Sequence, residues 1–103
     1  MVRAVIRQAL KEGSTEIHIE PVANCVRMTH LANRRVRNMT LVPRSLQIPL
    51  TKLLRTLAGL EPSGDGFSQE GEMWVRLRDQ KYHLILFTTP AEFGECITIR
   101  LPA

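Results

Sequence analysis

The clearest strand signal in the chain is a short alternating stretch, Glu16-Ile17-His18-Ile19-Glu20. Polar and apolar side chains alternate along it, so Ile17 and Ile19 are predicted to face a core while the polar side chains point the other way. Pro21 ends the strand because proline has no backbone N–H to donate to a neighbouring strand. This stretch therefore predicts a half-buried strand.

Helical patterns separate the strand-rich parts of the chain. Apolar side chains at i, i+3 and i+4 predict a first helix over residues 2–10, and Gly13 is its predicted stop. Ser45 is a candidate N-cap of a second helix that ends at Gly59. Pro49 is tolerated best in a first helical turn, which favours a start two or three residues after Ser45. The apolar stripe of this second helix consists of Leu46, Leu50, Leu53, Leu54 and Leu57.

Five further stretches have the composition and periodicity of strands. They cover residues 25–31, 34–41, 73–78, 82–88 and 95–101. The run over residues 82–88 is almost continuously apolar, which predicts a strand covered on both faces. Turns are predicted at Ala32-Asn33 and Asp79-Gln80, and a glycine-rich loop is predicted over residues 61–71.

The order of elements is a helix, three strands, a helix and three strands, which indicates one α+β domain over residues 1–103. The connections within each group of strands have hairpin length. We therefore expect one sheet of about six mainly antiparallel strands, flanked by helices that pack on one face.

Charge is distributed unevenly along the chain, whose formal net charge is +4. Residues 1–55 carry ten basic and three acidic residues, a net +7, whereas residues 56–103 carry four basic and seven acidic residues, a net −3. Such an asymmetry favours contact with polyanions or with a complementary copy of the chain. No apolar run approaches the ~20 residues of a membrane span, so we expect no membrane insertion.

The polar face of the first strand is the best local candidate for chemistry. His18 lies between Glu16 and Glu20 at the spacing that places all three side chains on one face. A histidine with two carboxylates can bind a metal or exchange protons, but no third ligand or nucleophile is placed beside them, which favours a polar, solvated face. Cys25 and Cys96 form no zinc motif and are predicted to be reduced thiols.

Motifs for nucleotide binding and nucleophilic catalysis are missing from the sequence. Gly64-Asp65-Gly66 is glycine-rich, but neither GxxxxGK[ST] nor GxGxxG is present, and the serines lie in no nucleophile elbow. We therefore predict that this chain is not an enzyme by itself, and we expect no cofactor and no metal.

A cluster of arginines and a single tryptophan are the candidate contact residues. Arg34, Arg35, Arg37 and Arg44 form a basic cluster that can contact phosphates. Aromatic residues make up only 5% of the chain, so a protein-facing basic edge is favoured over a nucleic-acid site. Trp74 lies among the polar residues of a later strand, where it can stack on a guanidinium or mark a contact patch.

Four stretches resemble the family of ATPases that power type II secretion and type IV pilus assembly. Residues 13–21 are similar to that family's GASDIHIEP strand, and Val26-Arg27-Met28 is similar to its VRFR strand. Gln69-Glu70-Gly71 resembles its PQDGR turn, and residues 88–101 resemble its STLPTxxGExxVxRLL segment. The order and spacing of the four match over about residues 2–101.

The resemblance implies the second N-terminal domain of these ATPases, a PAS-like sheet of about six antiparallel strands that precedes the ATP-hydrolysing core. In the family, arginines of this domain reach nucleotide phosphates in the neighbouring core of a hexamer. Here Glu72, Ile85 and Thr29 stand at three of the family's arginine positions, and only Arg27 and Arg100 match. The resemblance thus implies a domain that retains the fold and has lost most of the phosphate contact.

The functional hypothesis is a non-catalytic interaction domain. Its expected partners are a secretion or pilus ATPase core, related subunits or a second copy of the chain. Its expected location is the cytoplasm, peripheral to a membrane-bound secretion complex. The predicted interaction residues are Arg34, Arg35, Arg37 and Trp74, with Arg27 and Arg100 as nucleotide contacts if that contact is retained.

Three alternatives remain at the level of sequence. A PAS-like small-molecule sensor would need a cavity lined by residues such as Leu84, Leu86 and Met73. A basic nucleic-acid-binding module would show steep salt dependence of binding. The two matching arginines can also form plain ion pairs, Arg27 with Glu20 and Arg100 with Glu95 or another surface acid.

Overall fold

Two helices and six strands make up the described part of the chain, residues 2–64 and 66–102 of a computed structural model. The helices are α1 (Val2–Lys11) and α2 (Gln47–Leu57), and a 3-10 turn over Arg44–Leu46 leads into α2. The strands are β1 (Glu16–Pro21), β2 (Cys25–Ala32), β3 (Arg35–Pro43), β4 (Gln69–Leu77), β5 (Gln80–Ala91) and β6 (Gly94–Arg100).

All six strands belong to one antiparallel sheet with the order β3-β2-β1-β6-β5-β4. The first three strands form one half of the sheet and the last three form the other. The halves meet where β1 pairs with β6 and Ile17 lies opposite Ile99. β3 and β4 are the edge strands. The predicted α+β fold with six antiparallel strands is confirmed.

The core lies between the sheet and the two helices, which pack together on one face that we call the inner face. Ile6 of α1 and Leu54 of α2 belong to the same buried cluster as the inward-facing strand residues. The core positions expected from the sequence are all at most 5% exposed: Ile17, Ile19, Leu84, Leu86, Ile97 and Ile99. Neither helix covers the opposite face, which we call the outer face.

β5 is buried on one side only, so the prediction that both of its faces are covered is wrong. Leu84 and Leu86 are fully buried on the inner face. Ile85 and Phe87, which alternate with them on the outer face, are only partly buried. The continuous apolar run therefore reflects one core face and one half-exposed apolar face.

α2 begins at Gln47, the later of the two starts that the sequence predicted, and it buries a different set of side chains than predicted. Ser45 is not the N-cap, because it lies in the 3-10 turn, and Leu46 precedes the helix without a side-chain cap. Pro49 lies in the first turn, where its missing N–H has no intrahelical partner to lose. Three leucines of the predicted stripe are 39–47% exposed: Leu46, Leu53 and Leu57. Arg55 is instead completely buried.

Two hairpin turns are displaced by one residue from their predicted positions. The β2–β3 turn is Asn33-Arg34 and not Ala32-Asn33. Its two residues have φ angles of 51° and 67°, the combination typical of a two-residue hairpin loop. The β4–β5 turn is Arg78-Asp79, with φ of 56° at Arg78, and not Asp79-Gln80.

β4 begins at Gln69, inside the stretch predicted as loop. Gly71 allows this early start, since a Cβ atom built there would lie 2.5 Å from the carbonyl oxygen of Ala58. The missing side chain lets the end of α2 contact the edge strand. Gly13 and Gly59 follow the two helices with φ of 77° and 76°, as predicted for their stops.

Candidate interaction surface on the open sheet face

Side chains on the outer face form rows across the sheet, because directly paired residues of antiparallel strands project to the same side. One row, read from β2 to β4, consists of Leu31, Glu16, Arg100, Ile85 and Glu72. Ile85 and Glu72 are two of the positions at which the resemblance expects arginine. The row thus places one arginine between two carboxylate-bearing strands and assembles no arginine cluster.

Arg100 rests on an aromatic ring. Its Cζ atom lies 5.1 Å from the centroid of the Phe87 ring, within the range of a cation–π interaction. The alternative pairing of Arg100 with Glu95 is wrong, because the Glu95 carboxylate contacts Arg55 instead. Arg100 remains exposed and presents a positive charge at the middle of the outer face.

Arg27 lies away from Arg100 and is already paired. Its Nη2 donates a hydrogen bond to Oε1 of Glu20, and this hydrogen bond raises the pKa of Arg27 further. The simple surface pairing with Glu20 is therefore confirmed. Arg27 of β2 lies opposite Glu20 of β1, and Arg100 of β6 lies opposite Glu16 of the same strand. The two arginines are therefore two strand spacings apart across the sheet and four residues apart along it, a distance of about 16 Å. The two matching arginines do not converge on one phosphate.

Trp74 stacks on a histidine. The Trp74 and His83 rings lie on paired positions of β4 and β5 with centroids 4.7 Å apart. The predicted stacking of Trp74 on a guanidinium is therefore replaced by a contact with an imidazole. Glu72 lies 3.5 Å from His83 Nε2, and the tryptophan side chain is 65% exposed. Trp74 still fits the second expectation, an exposed aromatic contact patch.

The predicted interaction residues fall into two separate groups at opposite ends of the sheet. Arg34, Arg35 and Arg37 are exposed at the start of β3, and we call this group the basic edge. Trp74 lies on β4, five strand spacings or about 24 Å away. Glu70 and Glu72, also exposed on β4, form what we call the acidic edge.

Arg55 is the main polar residue that sequence reasoning missed. Its Nη1 donates to both carboxylate oxygens of Glu95 at 2.9 Å, and its Nε donates to the backbone carbonyl of Glu61 at 2.6 Å. Nη2 donates to the Gln69 side chain, and Nη1 lies 3.4 Å from Thr88 Oγ1. One guanidinium thus joins α2, the loop after it, β4, β5 and β6.

A second polar cluster lies where α1 ends above β2 and β3. Gln8 and Asn38 donate hydrogen bonds to Glu12 Oε1 at 2.9 and 3.1 Å, and His30 Nδ1 lies 3.0 Å from Glu12 Oε2. These contacts, led by that of Gln8, lower the pKa of Glu12 despite partial burial.

We expect the Glu12 cluster to make the stability of the fold depend on pH in the acid range. A carboxyl whose folded-state pKa is lowered stabilises the fold above its unfolded-state pKa, and this contribution is lost as pH falls through the folded value. Urea midpoints between about pH 3 and 7 should therefore fall less steeply towards acid in Glu12→Gln than in the wild type. Glu92→Gln, in an exposed turn, is the control and should leave the slope unchanged. Parallel slopes for Glu12→Gln and the wild type would contradict the expectation.

The other sequence candidates carry no assembled site. His18 Nε2 lies 2.9 Å from Glu16 Oε2, and across residues 2–64 and 66–102 no three His, Cys, Asp or Glu side chains group as a metal site. Cys25 and Cys96 are free thiols, and burial raises the pKa of Cys96, which keeps it protonated. No helix within those two ranges is long and apolar enough to cross a bilayer.

The expected ligand cavity of a sensor domain is filled by packed side chains. Leu84, Leu86 and Met73 are at most 2% exposed and belong to the core cluster. The space between the two helices and the sheet is a cavity of about 10 Å³, which is too small for a ligand and close to the limit for one water. The small-molecule sensor alternative therefore gains no support from the core.

Comparison with known proteins relates the chain to secretion and pilus ATPases. It is 24% identical over 101 residues to Type II secretion system protein E of Klebsiella pneumoniae, and equally identical to Type II secretion system ATPase E of Vibrio cholerae. Each match covers 98% of this chain and 20% of the relative. The identity to Type IV pilus assembly ATPase PilB of Thermus thermophilus is 27% over 100 residues, which cover 97% of this chain and 11% of that protein.

The chain thus spans about a fifth or less of the length of these relatives. The matched part is the region N-terminal to their catalytic core. The family described as "Type II/IV secretion system protein" matches residues 1–103 in full. The chain belongs to the type II/IV secretion system protein family.

Proposed function

We propose that this chain is a non-catalytic interaction and assembly domain of a secretion or pilus ATPase-like protein, in which the phosphate contact of the family is lost. The observation that carries the proposal is the outer-face row of Glu16, Arg100, Ile85 and Glu72. A phosphate clamp needs converging cations, and this row offers one arginine with carboxylates on both sides.

Charge repulsion is the expected effect of this row on a nucleotide phosphate. Two like unit charges about 4 Å apart repel by about 4 kcal/mol at an effective dielectric constant of ~20, before salt screens them. The Glu72 side chain is 69% exposed, so only part of this repulsion acts at that position. Even a part of it opposes a triphosphate where an arginine would attract one.

The proposed partner is the ATP-hydrolysing core of a secretion or pilus ATPase. The names of the relatives are those of secretion and pilus proteins, two of them ATPases. The outer face is uncovered by the two helices and carries Arg100 on Phe87 together with exposed Trp74, which gives it the arginine and aromatic content typical of protein interfaces. In this proposal the chain contributes contacts to the assembly, and the core contributes the chemistry.

Titration calorimetry with ATP and ADP tests this proposal. The chain is measured alone and mixed with the catalytic core of a secretion ATPase from the same cell, as wild type and as Glu72→Arg. We expect no nucleotide binding by the chain alone. In the mixture, Glu72→Arg should strengthen nucleotide binding about tenfold over the wild type, because an added cation near a phosphate contributes a charge-assisted contact.

The matched control is Glu70→Arg, which makes the same charge change two residues away on the same exposed strand face. It should alter nucleotide affinity much less than Glu72→Arg, because position 70 is not one at which the resemblance expects arginine. ATP binding by the isolated wild-type chain, or failure of the chain to bind the core, would contradict the proposal.

A further inference from the structure

β4 carries a regular series of side chains on the outer face of the sheet. At every second position it presents Glu70, Glu72, Trp74 and Arg76, all of them exposed. Arg78, in the turn that follows, is a further exposed base. The first half of the series is acidic, the second half is basic, and Trp74 lies at its centre. The series is therefore complementary to itself when two copies of it run in opposite directions.

One long side of β4 is open, since within residues 2–64 and 66–102 this strand pairs with β5 alone. The hairpin turn closes on the pair Leu77 and Gln80, so the N–H and C=O groups of Leu77 point to β5. Groups of alternate residues point the other way, as shown by the Arg76 carbonyl, which accepts a hydrogen bond from the Arg3 side chain. A carbonyl oxygen has two lone pairs, so Arg3 can stay in place when a second donor arrives. The even-numbered residues of β4 thus present their backbone groups to the open edge.

A two-fold axis at Trp74 matches the charges of two copies. In an antiparallel pair of β4 strands centred there, Glu72 of each copy lies opposite Arg76 of the other, and Glu70 lies opposite Arg78 at the turn. Directly paired residues project to the same side, so the Glu72–Arg76 pairs form on the outer face. We propose that β4 of one copy pairs with β4 of a second copy in this register, which joins two six-stranded sheets into one. This inference rests on the proposed function as an assembly domain and gives it a second copy of the chain as a partner.

Other registers and the other edge fit less well. A shift of the β4–β4 pair by two residues separates the tryptophans and removes one Glu–Arg pair from each half. Residues 34–43, which include β3, contain no Asp or Glu, so two β3 strands have no opposite charges to pair. Antiparallel pairing of β3 with β4 places Arg35 and Arg37 at the Arg76 end of β4, where the charges repel. Charge thus favours β4 against β4.

The centre of the proposed contact is aromatic. Trp74 is 65% exposed and lies against the His83 ring on its own sheet. Across the axis it lies beside the Trp74 side chain of the second copy, so two large aromatic side chains lose contact with water. A tryptophan with an arginine beside it is the composition typical of interface hot spots. The backbone groups at the open edge gain hydrogen-bond partners at the same time.

The contact closes at two copies. Both copies use the same edge, so the interface is isologous and no β4 edge is left to add a third copy. The outermost strands of the joined sheet are then the two β3 strands. Exposed Arg35 and Arg37 protect them against further pairing, as charged side chains on edge strands do. We therefore expect a dimer and no longer series.

Sedimentation equilibrium on the 103-residue chain tests this stoichiometry. The weight-average mass should rise with concentration and level off at twice the mass of one chain, with a dissociation constant below about 1 mM. Added salt should weaken the dimer, because exposed charge pairs contribute to it. Amide hydrogen exchange locates the contact: the N–H groups of Glu72, Trp74 and Arg76 should exchange more slowly in the dimer, since they face the open edge.

Charge-reversal variants test the register. Glu72→Arg and Arg76→Glu should each weaken dimerisation about tenfold or more, because each places like charges opposite each other on both sides of the axis. The double variant Glu72→Arg/Arg76→Glu restores opposite charges in the reverse sense, and its affinity should return to within a few-fold of the wild type. Lys52→Glu reverses a charge on the exposed surface of α2, away from the β4 edge, and should leave dimerisation unchanged.

The outcomes separate this inference from the proposed function. A chain that stays monomeric at about 1 mM, a mass that rises beyond the dimer, or a double variant as weak as the single variants would overturn the β4 contact. Binding to the ATPase core without dimerisation would overturn the edge contact and leave the proposed function standing. Dimerisation without binding to the core would do the reverse.

Discussion

Replacing Arg55 by methionine should lower the free energy of unfolding by about 3–5 kcal/mol. The side chain is fully buried, and the Glu95 carboxylate that it contacts is only 14% exposed. Methionine retains much of the side-chain volume but leaves a nearly buried charge without its cation. It also leaves the carbonyl of Glu61 and the Gln69 side chain without their donor. Urea denaturation of the wild type and the variant measures the difference.

Two further variants show whether the loss arises from the uncompensated carboxylate. Lys52→Met makes the same change of charge at an exposed position of α2 and should cost less than about 0.5 kcal/mol. Arg55→Met/Glu95→Gln should recover part of the loss, because the amide carries no charge to leave unpaired. A loss below about 1 kcal/mol in Arg55→Met would show that the cluster contributes little to stability. No recovery in the double variant would show that the loss does not arise from the uncompensated carboxylate.

Truncating Leu86 to alanine should destabilise the chain by about 2–5 kcal/mol. Leu86 is fully buried on the inner face of β5, beneath the helices, and its removal leaves a cavity in the core. The neighbouring Ile85 faces outward on the same strand and is only partly buried, so Ile85→Ala should cost clearly less. The ratio of the two losses in free energy of unfolding measures how much more deeply the inner face of the sheet is buried than the outer face. Equal losses would mean that the outer face is covered by further structure in solution.

Much of the fold was predictable from local sequence patterns, and each error of prediction has an identifiable cause. Alternation marked Ile17 and Ile19 as core residues, and helical spacing located α1. The displaced turn at Asn33-Arg34 was missed because the usual hairpin signal has glycine at the second position. The one-sided burial of β5 was missed because a continuous apolar run does not distinguish a core face from an exposed apolar face.

The leucine stripe of α2 illustrates a limit of periodicity. Leu53 and Leu57 fit the apolar pattern as well as Leu50 and Leu54, yet they lie at the rim of the core and remain half-exposed. Arg55 is buried because acceptors from four later segments surround it. None of those partners lies within one helical turn of Arg55, so no local pattern could identify the cluster.

The candidate surface was predictable residue by residue but not in its arrangement. The resemblance identified Glu72, Ile85 and Arg100 separately, and only strand pairing places them in one row. Spacing in sequence also gave no sign that Arg27 and Arg100 lie apart, or that the basic edge and Trp74 occupy opposite ends of the sheet. These relations depend on the pairing of β1 with β6, which joins distant parts of the chain.

That single pairing also concentrates the difficulty of folding in one place. Every other pair of neighbouring strands is joined by a short connection, so each half of the sheet is a meander with low cost of loop closure. Pairing β1 with β6, where Ile17 lies opposite Ile99, carries the largest entropy cost of loop closure, so we expect this seam between the two halves of the sheet to form late. A cut in the loop between α2 and β4 would leave every hairpin intact. It would turn the closing of this seam into a bimolecular reaction between two three-stranded fragments.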